Sequence, residues 1–152
     1  MEDIRIRKYA RFLIRKAVYL QKGEKILIEL HGDENAIPLV RALVEEAYQK
    51  GIPIISSMGA GNKLDPTRFQ VADLFDTSVC PLCRVMRREV RRRNIPHLKV
   101  VYSTEPALSP ALPQGGQPLA PGKHQTPGSV AFVPSVAGLI LAGEVVKDLS
   151  LS

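Results

Sequence analysis

Residues 52–105 read IPIISSMGAGNKLDPTRFQVADLFDTSVCPLCRVMRREVRRRNIPHLKVVYSTE, and this stretch decides the fold. Residues 52–58 form an apolar run of strand type, and residues 59–63 (GAGNK) are a loop needing unusual backbone angles. Residues 69–74 (FQVADL) predict a second strand, with Phe69, Val71 and Leu74 toward one face. Residues 76–78 turn the chain. The Cys80-Pro81-Leu82-Cys83 segment then opens a basic helix that runs to Arg93 and is stopped by residues 94–96. Residues 98–103 (LKVVYS) predict a further strand.

Working outward, residues 3–21 place Ile6, Tyr9, Ala10, Leu13, Ala17 and Leu20 at helical spacing, with Gly23 as the stop. Residues 25–30 (KILIEL) predict a short strand and residues 31–34 a turn. Asn35 is an N-cap type, and Pro38 falls in the first turn of a helix that ends at Lys50-Gly51. Downstream, residues 106–128 hold six prolines and four glycines, a loop without core. Pro134 then opens a closing helix over 134–149, apolar on most sides and therefore expected to be buried on most sides. The order α-β-α-β-β-α-β-α implies an α/β fold, a partial Rossmann-like sheet flanked by helices.

The chain has 152 residues, 45% of them hydrophobic and 24% charged, which suits globular structure. Two cysteines are too few for a disulfide framework, so a reducing, cytoplasmic setting is expected. No start of signal-peptide type appears. Residues 129–143, the longest uncharged apolar stretch, are too short to span a bilayer, so no membrane partner is expected. The net charge of +6 is local in origin: residues 84–93 hold six arginines against Glu89.

Several groupings could carry chemistry. The GAGNK loop is not a dinucleotide fingerprint, because Leu64 takes the third glycine position and Pro66 follows where a helix should begin. Cys80 and Cys83 admit four readings: half of a zinc site, a redox pair, a reactive thiol at Cys80, or small buried hydrophobes in a turn. Two cysteines without histidines at ligand spacing argue against zinc, and no metal site is assigned. Helix position and the following arginines would lower a thiol pKa. Arg84, Arg87, Arg88 and Arg91 recur at i, i+3, i+4 and i+7 as one stripe, widened by Arg92 and Arg93. Such a stripe suits a row of RNA phosphates; the alternative is a solvated face paired with carboxylates. The acidic pairs Asp33-Glu34 and Glu45-Glu46 read as solvated.

From GAGNKLDPT through CPLCRVMRREVRRR to VPSVAGLILAGEVVKDL, residues 46–152 resemble the ThiF/MoeB/HesA-type adenylating family, relatives of the ubiquitin-activating enzymes. The branch is that of tRNA threonylcarbamoyladenosine dehydratase. The resemblance implies ATP-dependent activation of a carboxylate on tRNA, with Mg²⁺. It places GAGNKLDPT beside the active cleft, so Lys63 and Asp65 become candidates for lining it, against a plain structural turn. It makes Cys80 a candidate catalytic thiol, since the superfamily often uses a thiol to accept an adenylated partner. Cys83 departs from the pattern, where a small residue is usual. The family keeps its nucleotide site in its first half, and no strand–GxGxxG–helix occurs here. The ATP-binding half of the fold is therefore expected to be missing, with no cofactor for this chain alone.

Residues 1–50 resemble instead the N-terminus of the metal-dependent aminopeptidase T family, on KYARFLIRKAVYLQKGEKILIEL and PLVRALVEEAYQKG. That family's metal ligands lie further along its chain, so no site residue carries over. The two resemblances meet at residues 45–53, which reads as a junction in a chimera: an α-β-α segment over 1–50 and the C-terminal half of a ThiF-type domain over 51–152. The expected function is that of an incomplete dehydratase, inactive alone. The alternatives are an RNA-binding module using the arginine helix, a chimeric scaffold without evolved activity, and a fragment of a metal-dependent aminopeptidase. The expected partners are tRNA and a second copy docked through helix 134–149.

Overall fold

A computed structural model describes residues 4–14, 37–109 and 127–151. Three strands form one mixed sheet in the order β1-β3-β2: β1 is Ile55–Ser57, β2 is Phe69–Asp73 and β3 is Lys99–Ser103. The central β3 runs parallel to β1, with Ile55 opposite Lys99, and antiparallel to β2, with Phe69 opposite Ser103. Four helices accompany the strands: α1 (Ile4–Phe12), α2 (Ile37–Lys50), α3 (Pro81–Arg91) and α4 (Phe132–Ser150).

The pleat of β3 distributes the core. Val100 and Tyr102 point to one face, where Val44 of α2 and Met86 and Val90 of α3 pack with Leu74 and Leu98. Val101 points to the other face, against Phe69 and the α4 stripe Val133, Ala137 and Leu141. Val100 and Val101 are both fully buried, as a central strand covered by helices on both faces requires. α1 forms an outer layer, with Ala10 and Ile14 on Ala42, Leu43 and Ala47 of α2.

α3 follows from its local sequence. Pro81 occupies the first turn, where its missing N–H is harmless. Cys83, Met86 and Val90 turn inward at spacings of three and four. At the far end Asn94 adopts a left-handed φ of 55°, and the Ile95 amide returns to the Val90 carbonyl at 3.1 Å, a Schellman-like closure.

Several sequence expectations need correction. The strand expected over 52–58 shortens at its start to Ile55–Ser57, with the Met58 amide still donating to the Val101 carbonyl at 2.8 Å; Pro53 offers no N–H, and Ile52 and Ile54 pack against the helices instead. Val71 does not join Phe69 in the core but stays 38% exposed, because α4 lies over β1, β3 and the 3₁₀ turn Pro66–Arg68 and leaves the middle of edge strand β2 uncovered. α4 is not buried on most sides. Only Val133, Ala137 and Leu141 are buried, while Leu139 is 71% exposed, because one helix on a three-stranded sheet can seat only one stripe. Glu45-Glu46 is not a solvated pair: Glu46 is buried and faces Arg11 at 3.4 Å, while Glu45 holds Arg93 at 3.0 Å. Pro134 sits inside the first turn, two residues after the helix begins at Phe132. The strand over 25–30, the turn at 31–34, the cap at Asn35, the second half of the first helix and residues 110–126 of the Pro/Gly-rich loop lie outside the described residues.

Candidate functional site

The carboxyl ends of the parallel strands β1 and β3 lie side by side, the usual place for a ligand in an α/β sheet. The GAGNKLDPT loop leaves β1 there. Its unusual φ falls on Asn62 (56°) rather than on Gly59 or Gly61. Lys63 is buried, with its ammonium on the Glu105 carbonyl just past β3. The Glu105 carboxylate, also buried, accepts from the Leu64 amide at 3.0 and 3.2 Å and from the Asp65 amide at 3.0 Å. Asp65 caps the following 3₁₀ turn through Thr67, whose hydroxyl holds its carboxyl below the usual carboxylate range against desolvation, with help from the Thr67 amide and Arg68. Lys63 and Asp65 thus reach the expected edge of the sheet, engaged with their own chain.

Asn62 ties this loop to the Pro/Gly-rich segment at both of its ends. Its carbonyl accepts from the Leu108 amide at 2.7 Å, and its amide donates to the Gly128 carbonyl at 2.8 Å. Its side-chain oxygen accepts from the Gly128 amide at 2.7 Å. Gly61 admits Pro127 alongside: a Cβ there would sit 2.7 Å from the Pro127 Cβ.

The arginines of α3 divide into two groups. Arg87 turns inward and donates to the Thr77 carbonyl at 2.8 Å and to the Thr77 hydroxyl. Arg93 binds Glu45 at 3.0 Å and Glu89 at 3.1 Å, and Arg41 of α2 joins Glu89 at 3.1 Å. Burial raises the Glu89 pKa, but the Arg41 hydrogen bond and the charges of Arg41, Arg93 and Arg92 outweigh it and leave the carboxyl below its ordinary value. Arg84, Arg88, Arg91 and Arg92 face outward. Arg92 has a 3.2 Å pair with Glu89 on a 73% exposed side chain, a weak contact, and Arg91 stacks over the Phe75 ring at 5.3 Å. Arg84 and Arg88 form no side-chain pair among the described residues. Sequence reading missed Thr77, Glu105, Glu45 and Arg41, whose roles depend on contacts from distant parts of the chain.

Cys80 and Cys83 are free thiols and both buried. Cys80 is the N-cap of α3, without a formal cap hydrogen bond from its side chain. The Cys83 thiol nevertheless acts on the Cys80 sulfur as a donor and pulls its pKa well below that of an ordinary thiol; burial opposes this, and the Cys83, Gly59 and Leu82 amides add to it. The same contact, with burial, pushes Cys83 upward.

With this geometry described, comparison with known proteins gives two findings. Residues 2–112 match the family described as Thermophilic metalloprotease (M29), and the chain belongs to that family. The chain is also 42% identical over 116 residues to tRNA threonylcarbamoyladenosine dehydratase of Bacillus subtilis, covering 70% of this chain and 44% of that protein. It is 50% identical over 64 residues to tRNA threonylcarbamoyladenosine dehydratase 2 of Saccharomyces cerevisiae, covering 41% of this chain and 14% of the relative. Among solved structures, the Escherichia coli tRNA N6-threonylcarbamoyladenosine dehydratase superposes with a TM-score of 0.59 at 23% identity, over 74% of this chain and 44% of that one. Its complex with ATP superposes at 0.56, also at 23% identity, over 73% and 43%. Both resemblances read from the sequence therefore hold, and the Rossmann-like α/β fold is that of the dehydratases. The chain spans less than half the length of these relatives.

A metalloprotease implies a metal, yet no three His, Cys, Asp or Glu side chains come together as a metal site among the described residues. A triphosphate needs free amides at a glycine-rich loop, yet the Leu64 and Asp65 amides already hold Glu105 and the Asn62 amide holds Gly128. No helix of the described residues is long and apolar enough to cross a membrane.

Proposed function

We propose that this chain represents the tRNA-facing half of a ThiF-type dehydratase, joined near residues 45–53 to an aminopeptidase-like N-terminal segment, and that its own activity is to hold RNA rather than to use ATP. One observation carries this reading: the outward Arg84, Arg88 and Arg91 guanidinium groups share one side of α3, and no carboxylate among the described residues neutralises Arg84 or Arg88. Guanidinium groups on an open helix face suit phosphate oxygens, and such contacts are salt-sensitive. The similarity to tRNA-modifying dehydratases supports tRNA as the RNA. ATP and Mg²⁺ belong, in this reading, to sequence that these 152 residues do not contain. Cys80 is not assigned a role in adenylate transfer. Two free buried thiols support a cytoplasmic setting.

The test is tRNA binding across a salt series. Arg84, Arg88 and Arg91 changed together to Ala should weaken binding and reduce the slope of log K against log salt by about one per lost contact. An unchanged slope would remove the RNA reading. Titration with ATP and Mg²⁺ should show no micromolar binding; tight binding would overturn the division of labour proposed here.

A further inference from the structure

The start of α3 holds a grouping that RNA binding leaves unused. Cys80 caps the helix, Pro81 is its first residue, and Cys83 follows one turn on with no exposed surface. Residues so spaced on a helix lie within the Cα separation of roughly 4.4–6.8 Å that a disulfide spans. Both sulfurs are buried at this helix start, and the Cys83 thiol is near enough to lower the Cys80 pKa. Behind Cys83 stand the Thr77 hydroxyl and then the Arg87 guanidinium, which donates to that hydroxyl. Polar groups therefore continue inward from the pair.

The cover over Cys80 is thin. The loop after β1 crosses it at Gly59, which brings no side chain; a Cβ there would lie 3.9 Å from the sulfur. On the other side Val79 is 51% exposed and holds a left-handed φ of 62°, a conformation that a β-branched residue adopts only where its surroundings impose it. The Cys80 amide turns back to the Ser78 carbonyl at 2.6 Å.

We infer that Cys80 and Cys83 form a reversible dithiol–disulfide pair, with Cys80 the attacking sulfur and Cys83 the resolving one. The oxidant is a low-molecular-weight disulfide of the glutathione type. The Cys80 thiolate attacks one sulfur of that disulfide, a mixed disulfide forms, and one small thiolate leaves. Cys83 then loses its proton to that leaving thiolate and attacks the Cys80 sulfur, expelling the second small thiolate, which takes up a solvent proton. Two protein thiols are oxidised to one disulfide, and one small disulfide is reduced to two thiols. The helix end favours the anionic attacker, and burial disfavours the thiolate at Cys83.

The experiment equilibrates the reduced full chain in glutathione buffers of graded redox poise, quenches with acid, alkylates and weighs the products. Cys80 and Cys83 should lose alkylation together, leaving a chain two hydrogen atoms lighter than the unalkylated reduced one. Cys83→Ser should accumulate one glutathione adduct on Cys80, and Cys80→Ser should react at least tenfold more slowly. A wild-type chain that keeps both thiols in a buffer of oxidised glutathione alone, or that stops as a stable adduct on either cysteine, overturns the inference. Should the variants misfold, the wild-type chain still decides: iodoacetamide must label Cys80 ahead of Cys83 and at a pH below the ordinary thiol range, and equal labelling sinks the pair.

Discussion

α3 and α4 carry their charge and apolarity in opposite ways. α3 is heavily basic, yet Arg87 and Arg93 are drawn into the structure by Thr77, Glu45 and Glu89. α4 is mostly apolar, yet only Val133, Ala137 and Leu141 are covered. A charged side chain goes inside when a partner from elsewhere meets it, and an apolar one stays outside when the sheet beneath is too narrow. The outer side of α4 keeps Leu139 at 71% and Val146 at 63% exposure.

The sharpest way to break this contrast is to truncate α4 on each side. Leu141→Ala on the covered side should cost about 2–4 kcal/mol in urea unfolding. Leu139→Ala on the open side should stay within about 0.5 kcal/mol and lower any self-association seen by sedimentation. Equal losses would mean that the open side is covered within the chain. The next effect lies at the approach to α4. Gly61→Ala places a Cβ against Pro127 and should destabilise by roughly 1–3 kcal/mol, read as a lower thermal midpoint.

The smallest effect belongs to the ion cluster that draws α3 inward. Glu89→Gln removes the shared anion of Arg41, Arg92 and Arg93 and should cost about 1–2 kcal/mol at neutral pH. The Glu89 pKa is lower folded than unfolded, so its contribution is fully present above the ordinary carboxylate pKa. It is lost as pH falls through the folded value. The stability gap between wild type and variant should therefore close on acidification below about pH 4. A gap that persists there would assign the loss to packing.

Much of the fold was legible without coordinates. The strand at 98–103, the inward Met86 and Val90, the helix ending at Lys50 and the reversal after Arg93 follow from period and from stop residues, which are local signals. The candidate site was legible in its residue types and not in their engagements. Lys63 and Asp65 are candidates by resemblance alone, whereas Glu105 lies some forty residues away, and only the sheet brings it to the loop. Six arginines were equivalent in sequence; Thr77 and Glu45 divide them.

The sequence by itself determined the order of the elements from residue 37 onward among the described residues, the basic helix, the Cys-x-x-Cys start and the absence of a nucleotide fingerprint within these 152 residues. All of these are properties of neighbouring residues or of helical and strand periods. Only the tertiary structure decided that Glu105 takes the Leu64 and Asp65 amides, that Arg87 and Arg93 are drawn inward while Arg84, Arg88, Arg91 and Arg92 stay exposed, and that the closing helix keeps one side open. Those outcomes depend on which surfaces meet in space, and hydrogen-bond and ion-pair partners that far apart in the chain leave no periodic trace in it.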